Sequence, residues 1–592
     1  MCGILAIATR IGERPAVSRA AAEAMRDEMA HRGPDGAGLL DLGHAILAHR
    51  RLAVVDLSPA GAQPMTTPEG RWSLVYNGEV YNDTELRAEL SREGVRFVST
   101  SDAETVLHVL ARWGEAGLAR LRGMYALALH DRDAGTMLLA RDPLGIKPLY
   151  WWRHVRPDGG TEVVAASEPR AILAHPHCPA RPDLVTLSGY LTTIRVTLGP
   201  RTLFEGVRTL EPGDTLTLDL RTEGLPARRG TIAWPEPCAA SVRDAVEDSV
   251  RRHVRADVPV GSLLSGGLDS TIVAGLACRH VPGLRTYASG VRAAAGDLEH
   301  AALASGVLGT LHTEVPISRE AFAEGWAFLV RAQGIPLGTP NEVAIHALAR
   351  AMRAAGIVVA LSGEGADELF CGYDVPLRSA ARFEESGGAR TTRDRGLFQV
   401  REAAWVPIEA KGSLLRAPVW RTLEGDAALI DEAERQFAAV WREGDALGTH
   451  QRLIRRVNLA GLLLRLDSSM MRASVEGRTP LADVRLAALA ESMSVEARAD
   501  LARSPAETKI PLRRGFADLV PAAILSRPKA SFPLPFVEWL RDASPRLERS
   551  RFAREVFESG VVDAVAADPA THWRVAWPML NLAAWGDELW GG

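Results

Sequence analysis

The chain has 592 residues, about four times the length expected of one domain, so two or more domains are expected. Hydrophobic residues make up 47% and charged residues 24%, which allows packed cores and argues against wholesale disorder. Lys plus Arg number 69 against 73 Asp plus Glu, a net −4 that argues against a general nucleic-acid or membrane-surface binder.

The opening MCGILAIATRIGERP reads as a buried strand and not as a secretion signal. Strands are expected over Gly3–Ala8, Ala45–Asp56 and Trp72–Tyr81, with helices over Arg19–Met29 and Asp102–Trp113. The Asn77-Gly78 pair between apolar flanks predicts a tight turn. Strands and helices mix without a βαβ rhythm, so this region reads as α+β. The Pro-, Gly- and Arg-rich stretch RTEGLPARRGTIAWPEP reads as a connection, giving domains 1–219 and 241–592 joined by a linker over 220–240. Ser241 with Asp244 then predicts a helix start, and Val242, Val246, Val250 and Val254 recur every four residues. A strand (Val258–Leu264), a glycine-rich loop (Ser265–Ser270) and a helix (Thr271–Arg279) follow; Ile357–Leu361 is a second buried strand. This alternation predicts a parallel sheet covered by helices. The stretch Ser386–Gly396 reads as a mobile surface loop, and the tail as mostly helical. Five scattered cysteines, Cys2, Cys178, Cys238, Cys278 and Cys371, form no CxxC pair, which fits a reducing cytoplasm without disulfides or zinc. No run reaches the roughly 18 to 20 apolar residues of a spanning helix.

Cys2 directly follows Met1. Removal of Met1 would put a thiol and an α-amine, with a pKa of about 7.7 to 8.0, on one residue, a nucleophile with its own base. Alone, such a cysteine is more often a small buried apolar residue. Its surroundings add chemistry. Arg51 could fork onto a carboxylate, Glu79 and Asp102 could accept from an ammonium, and Asn77 with the Gly78 N–H could stabilise an oxyanion. The ordered set MCGI, HRGPD, RLAVVD, YNGEVYN, SDAE, LRGMYALALHD and RDPLGIKPLYW, from Cys2 to about Glu168, resembles the glutaminase domain of class II glutamine amidotransferases. The resemblance implies an N-terminal-nucleophile hydrolase fold, layered αββα. It implies that Cys2 attacks the glutamine amide, that Arg51 binds the glutamine carboxylate, that Asp102 and Glu79 bind the α-amino group, and that Asn77 and Gly78 hold the oxyanion.

In Ser265-Gly266-Gly267-Leu268-Asp269-Ser270 the glycines let backbone N–H groups approach a polyphosphate at a helix start, and the hydroxyls of Ser265 and Ser270 can donate to it. Asp269 repels bare phosphate, so Mg²⁺ is its natural partner. No lysine follows the glycines, which excludes a Walker-type loop. Ser362-Gly363-Glu364-Gly365-Ala366-Asp367-Glu368 closes a second strand with three acids in five residues. SGGLDS with SGEGADELF resembles the PP-loop ATP pyrophosphatase domain of glutamine-dependent asparagine synthetases, an α/β domain with a parallel sheet and a helical C-terminal part. With the glutaminase signature, the resemblance covers nearly the whole chain. It implies an amide ligase that adenylates a carboxylate with ATP and aminates it with ammonia carried through an internal tunnel. In it Asp269 and Asp367 carry Mg²⁺, Glu364 serves as acid/base, and Lys529 neutralises pyrophosphate.

The acceptor region departs from the asparagine-forming pattern. In Asp467-Ser468-Ser469-Met470-Met471-Arg472 a basic residue is lost at Ser468 and gained at Arg472, Cys371 replaces a common glycine, and Gly334-Ile335-Pro336 replaces D-E-P. Ser468, Arg472 and Glu368 are the expected acceptor-facing residues. Aspartate is the default acceptor, and a larger carboxylic acid, such as a natural-product intermediate, is the alternative. The expected partners are glutamine, ATP and the acceptor, with no nucleic acid and no membrane, in the cytoplasm; a homodimer is left open.

Overall fold

A computed structural model describes residues 2–237, 241–291, 297–388, 390–527 and 534–590. The amino-terminal part stacks two antiparallel sheets. One has eight strands in the order 197–198, 201–202, 207–209, 150–155, 161–166, 3–8, 45–51 and 36–41; the other has six in the order 227–231, 214–219, 136–141, 123–131, 72–80 and 65–66. The period-2 pattern of the first strand decides what each face covers. Ile4, Ala6 and Ala8 pack between the sheets with Leu47, Val75, Ala126 and Ala128. Leu5 and Ile7 face the other way, onto Met25, Leu187 and Tyr190 of helices. The outer face of the second sheet, through Leu74, Tyr76 and Leu127, covers Leu86, Leu90, Val106 and Leu107 of the helices Asp83–Arg92 and Asp102–Trp113. The result is the αββα layering.

Three local expectations change. Asn77 and Gly78 lie inside the strand Trp72–Val80, opposite Ala126 and Tyr125, and make no turn. A Cβ at Gly78 would sit 2.2 Å from the Met124 carbonyl oxygen, so the glycine serves a close strand approach. The stretch read as a linker holds an edge strand, Ala227–Thr231, paired with Asp214–Asp219, and Ile232 is buried against the amino-terminal core. The supposed loop Ser386–Gly396 contains the start of the helix Thr392–Glu402, because Thr391 and Asp394 exchange side-chain and backbone bonds in a capping box. Ser241 caps its helix as expected, accepting from the Asp244 N–H.

The second part is built on a five-stranded, all-parallel sheet ordered 311–316, 285–290, 260–263, 359–361 and 476–478. From the central strand Val260–Leu263 the chain winds first to one side and later to the other. The crevice beyond its carboxyl end, beside Val359–Leu361, is therefore the topological switch point where ligands bind in such sheets. Both glycine-rich loops open there. The helix after the first loop begins at Leu268. Carboxyl-terminal helices cover a core in which Trp326, Trp577 and Trp585 are buried. Among the described residues no helix is long and apolar enough to cross a membrane.

One apolar cluster runs through both parts: Leu52, Val54, Tyr81, Met124, Leu144 and Ile146 pack with Val246, Leu361, Leu463 and Leu481. Each such buried side chain contributes about 1.5–3 kcal/mol. The two halves thus share a core at their joint.

Candidate functional site

Cys2 immediately precedes the strand Gly3–Ala8 of the inter-sheet core and is buried. Its backbone N–H donates to Asn77 Oδ1 at 2.9 Å, and its carbonyl accepts from Arg32 Nε at 3.1 Å. Burial pushes its thiol up. Asn77 is fully buried, and its Nδ2 donor has no partner among the described residues. A shielded, unpaired amide donor beside a thiol is suited to a negative oxygen that forms during reaction. Asp102 opens its helix, and its Oδ2 accepts from Tyr76 Oη at 2.8 Å and from the Val80 N–H at 2.9 Å of the neighbouring strand. Burial raises it to about 6. Glu79 is buried too, and burial followed by Asp102 raises it well above the ordinary range. Arg51 donates to the Ser58 carbonyl at 2.8 Å and to that of Asp56, which ties its guanidinium to the loop after its strand.

This thiol pocket is closed by the second domain. Arg478 on the strand Glu476–Arg478 reaches Glu79 Oε2 at 3.1 Å. Arg32 binds Asp467 Oδ2 at 2.8 Å while still holding the Cys2 carbonyl, and Lys147 binds Asp467 Oδ1 at 3.1 Å. Arg472 does not face an acceptor cavity. It donates to Glu168 at 2.7 Å and meets His31 Nδ1 at 3.1 Å, so its charge is spent on the joint between domains.

At the switch point the first loop folds on itself. Ser265 Oγ and Ser270 Oγ lie 3.0 Å apart, and Thr271 Oγ1 donates to the Gly267 carbonyl at 2.7 Å. Gly266 has φ +70°, and a Cβ there would lie 2.4 Å from the Ala301 nitrogen. Asp269, in the first turn of the helix Leu268–Ala277, and Asp367, in the short helix Ala366–Leu369, converge on Lys509 Nζ, at 2.6 and 2.7 Å. Burial alone would lower the lysine, but the two carboxylates outweigh it and hold the ammonium charged. The sequence did not reveal Lys509: nothing around Glu507-Thr508-Lys509-Ile510 marks it, and its partner Asp269 is 240 residues away. Lys529 lies outside the described residues.

Glu364 meets Arg465 Nη2 at 3.4 Å, and Arg465 Nη1 donates to Thr339 Oγ1 at 2.9 Å. Glu368 is buried, accepts from Tyr373 Oη at 2.5 Å, and is raised to about 7, chiefly by burial and then by Asp367. Arg465, Tyr373 and Ser468 also line a cavity of about 450 Å³ between the domains. Cys371, just before Tyr373, has φ +58°, the left-handed conformation for which glycine is the usual residue.

Comparison with known proteins finds two families along the chain. Residues 1–226 match the glutamine amidotransferase domain family and residues 241–587 the asparagine synthase family. A Mycobacterium bovis protein whose name ascribes it to the glutamine-hydrolysing asparagine synthetases is 31% identical, across 99% of this chain and 97% of its own. Asparagine synthetase (glutamine-hydrolyzing) 1 of Bacillus subtilis is 28% identical across 99% and 96%. Asparagine synthetase B (glutamine-hydrolyzing) of Escherichia coli is 33% identical across 58% and 60%. A glutamine amidotransferase domain and an ATP-using parallel-sheet domain are thus joined in one chain, which belongs to the asparagine synthase family and is an ATP-dependent ligase using glutamine as its nitrogen donor.

Proposed function

We propose that the enzyme converts a carboxylic acid into its carboxamide in two coupled sites. At the first, Cys2 Sγ attacks the side-chain carbonyl carbon of glutamine. The carbonyl oxygen takes the negative charge and receives the Asn77 Nδ2 hydrogen, with Gly78 alongside. Ammonia leaves as the thioester forms, and water then releases glutamate. Removal of Met1 turns the Cys2 nitrogen into the terminal amine that takes the thiol proton. Asp102 and Glu79 bind the ammonium of glutamine, and Arg51 its carboxylate.

At the second site the acceptor carboxylate attacks the α-phosphorus of ATP, pyrophosphate leaves, and ammonia displaces AMP from the acyl carbon. The loop Ser265–Ser270 carries the polyphosphate, and Glu364 takes the proton that ammonia sheds. Asp269 and Asp367 are hard oxygen donors already gathered around one cation, the Lys509 ammonium, so the pair fits Mg²⁺ and would hold it. Bound there, the ion would neutralise polyphosphate charge. Lys529 is assigned to the departing pyrophosphate. The observation that carries this reading is the unpaired Asn77 donor beside Cys2, on a pocket sealed by residues of the ATP-using domain.

Aspartate is the family's default acceptor. The cavity beside Arg465 and Ser468 favours the alternative, a larger acid, developed below. The test is Cys2→Ala. Glutamine-dependent amide formation should vanish while ammonium-dependent, pyrophosphate-releasing synthesis persists; loss of both in a folded variant would refute two separable sites.

A further inference from the structure

Building on the amide-ligase reading, we propose that the cavity between the domains is the acceptor pocket, and that it takes a carboxylic acid with an apolar body larger than aspartate's and a second anionic group. Three observations carry this.

The first is size. At about 450 Å³ the cavity falls within the range of pockets for drug-sized ligands. A passage for ammonia needs room for one small molecule, about 30 Å³.

The second is chemistry. Ile194, Val196, Leu198, Ile335 and Val457 give the lining an apolar character. Ser468 and Ile335, two positions at which the chain departs from the asparagine-forming pattern, both face it and bring no charge. Most of its polar groups are paired, as Glu211 is with Arg435 and Glu342 with the Gly338 N–H, and two stand out. Gln333 is 4% exposed, and neither its Nε2 nor its Oε1 has a hydrogen-bond partner among the described residues. A buried amide left unpaired is unfavourable, and a bound polar group would relieve it. Arg195 donates to Asn458 Oδ1 and has no acidic partner among the described residues. Burial alone lowers it, to about 10, so the guanidinium stays charged and lacks a counter-ion. A ligand anion would supply one.

The third is position. Arg465 and Tyr373 form a wall shared by the cavity and the acid loop, since Arg465 contacts Glu364 and Tyr373 contacts Glu368. An acid seated in the cavity presents one carboxylate at that wall. Its body lies along the apolar lining, and its second anion reaches Arg195.

The experiment uses the full-length enzyme with ATP, MgCl₂ and ammonium chloride, and benzylsuccinate as the probe against L-aspartate. Pyrophosphate release gives KM and kcat, and calorimetry gives binding of the probe. The expected result is a KM for benzylsuccinate about tenfold or more below that for aspartate. Arg195→Met and Gln333→Leu should each raise it about tenfold at unchanged kcat. An unchanged melting temperature identifies whichever variant is folded, and either one suffices. Preference for aspartate, no binding of benzylsuccinate, or an unchanged KM in a folded variant overturns the pocket. Benzylsuccinate binding that Arg195→Met weakens, without pyrophosphate release from any acid, upholds the pocket and overturns the ligase reading on which it rests.

Discussion

The two reaction centres are built on different plans. Around the nucleotide loops the described groups, Ser265, Asp269, Asp367 and Lys509, all come from the second domain. Around Cys2 the groups come from both, because Arg32 runs from the Cys2 carbonyl to Asp467 and Glu79 is answered by Arg478. The described contacts of the nucleotide loops therefore close within the second domain, whereas those around Cys2 are completed from across the joint; between these two sets of contacts dependence runs one way.

The strongest challenge to that asymmetry is Lys509→Met. It strands two carboxylates that share one buried cation, and removing such a partner costs about 3–5 kcal/mol. Pyrophosphate release should fall about 10³-fold while glutamine hydrolysis persists; an equal fall in both, measured on the folded variant, would show that the sites lean on each other. Asp102 sharpens the other side, since Tyr76 and Val80 of its own domain hold it. Its carboxyl is raised from 3.8 to about 6, burial being the main cause. The folded state therefore keeps a proton that the unfolded chain gives up. Stability falls as pH rises from about 3.8 to 6, by on the order of 3 kcal/mol at full effect. Urea unfolding across that window should show the slope, and Asp102→Asn should remove it. The KM for glutamine should rise below pH 6 as the ammonium loses its counter-charge. The smallest effect on catalysis is expected from Asp467→Asn, which keeps an oxygen for Arg32 but drops the charge that Arg32 and the buried Lys147 share. Glutamine kcat/KM should decline about tenfold with little change in ammonium-dependent synthesis; the reverse pattern would break the one-way dependence.

Much of this was legible in the chain. Motifs such as HRGPD and SGGLDS are local, and each places its chemistry within a few residues. What escaped is what only tertiary packing creates. Lys509 has no local signature, yet it holds together two carboxylates that are themselves far apart in sequence. The Asn77-Gly78 pair carries the composition of a turn, but the close approach of Met124 explains the glycine within a strand. Arg472 read as part of the acceptor pocket because its segment departs from the pattern there; Glu168 and His31, more than 300 residues earlier, claim it for the joint. The stretch Ser386–Gly396 read as a loop on its glycines and polar residues, and the capping box of Thr391 and Asp394 that starts a helix inside it emerged only from the structure.

The helix Ala460–Met471 places Asp467 and Ser468 side by side. Successive helical residues point about 100° apart, so one looks into the ion-paired seam and the other into the cavity between the domains. Such a layout separates what must stay constant from what can drift. With the acceptor pocket proposed above, exchange at 468 would retune which acid enters while Asp467 keeps Arg32 and Lys147 paired across the joint, and a designer wishing to redirect this ligase would begin with that turn.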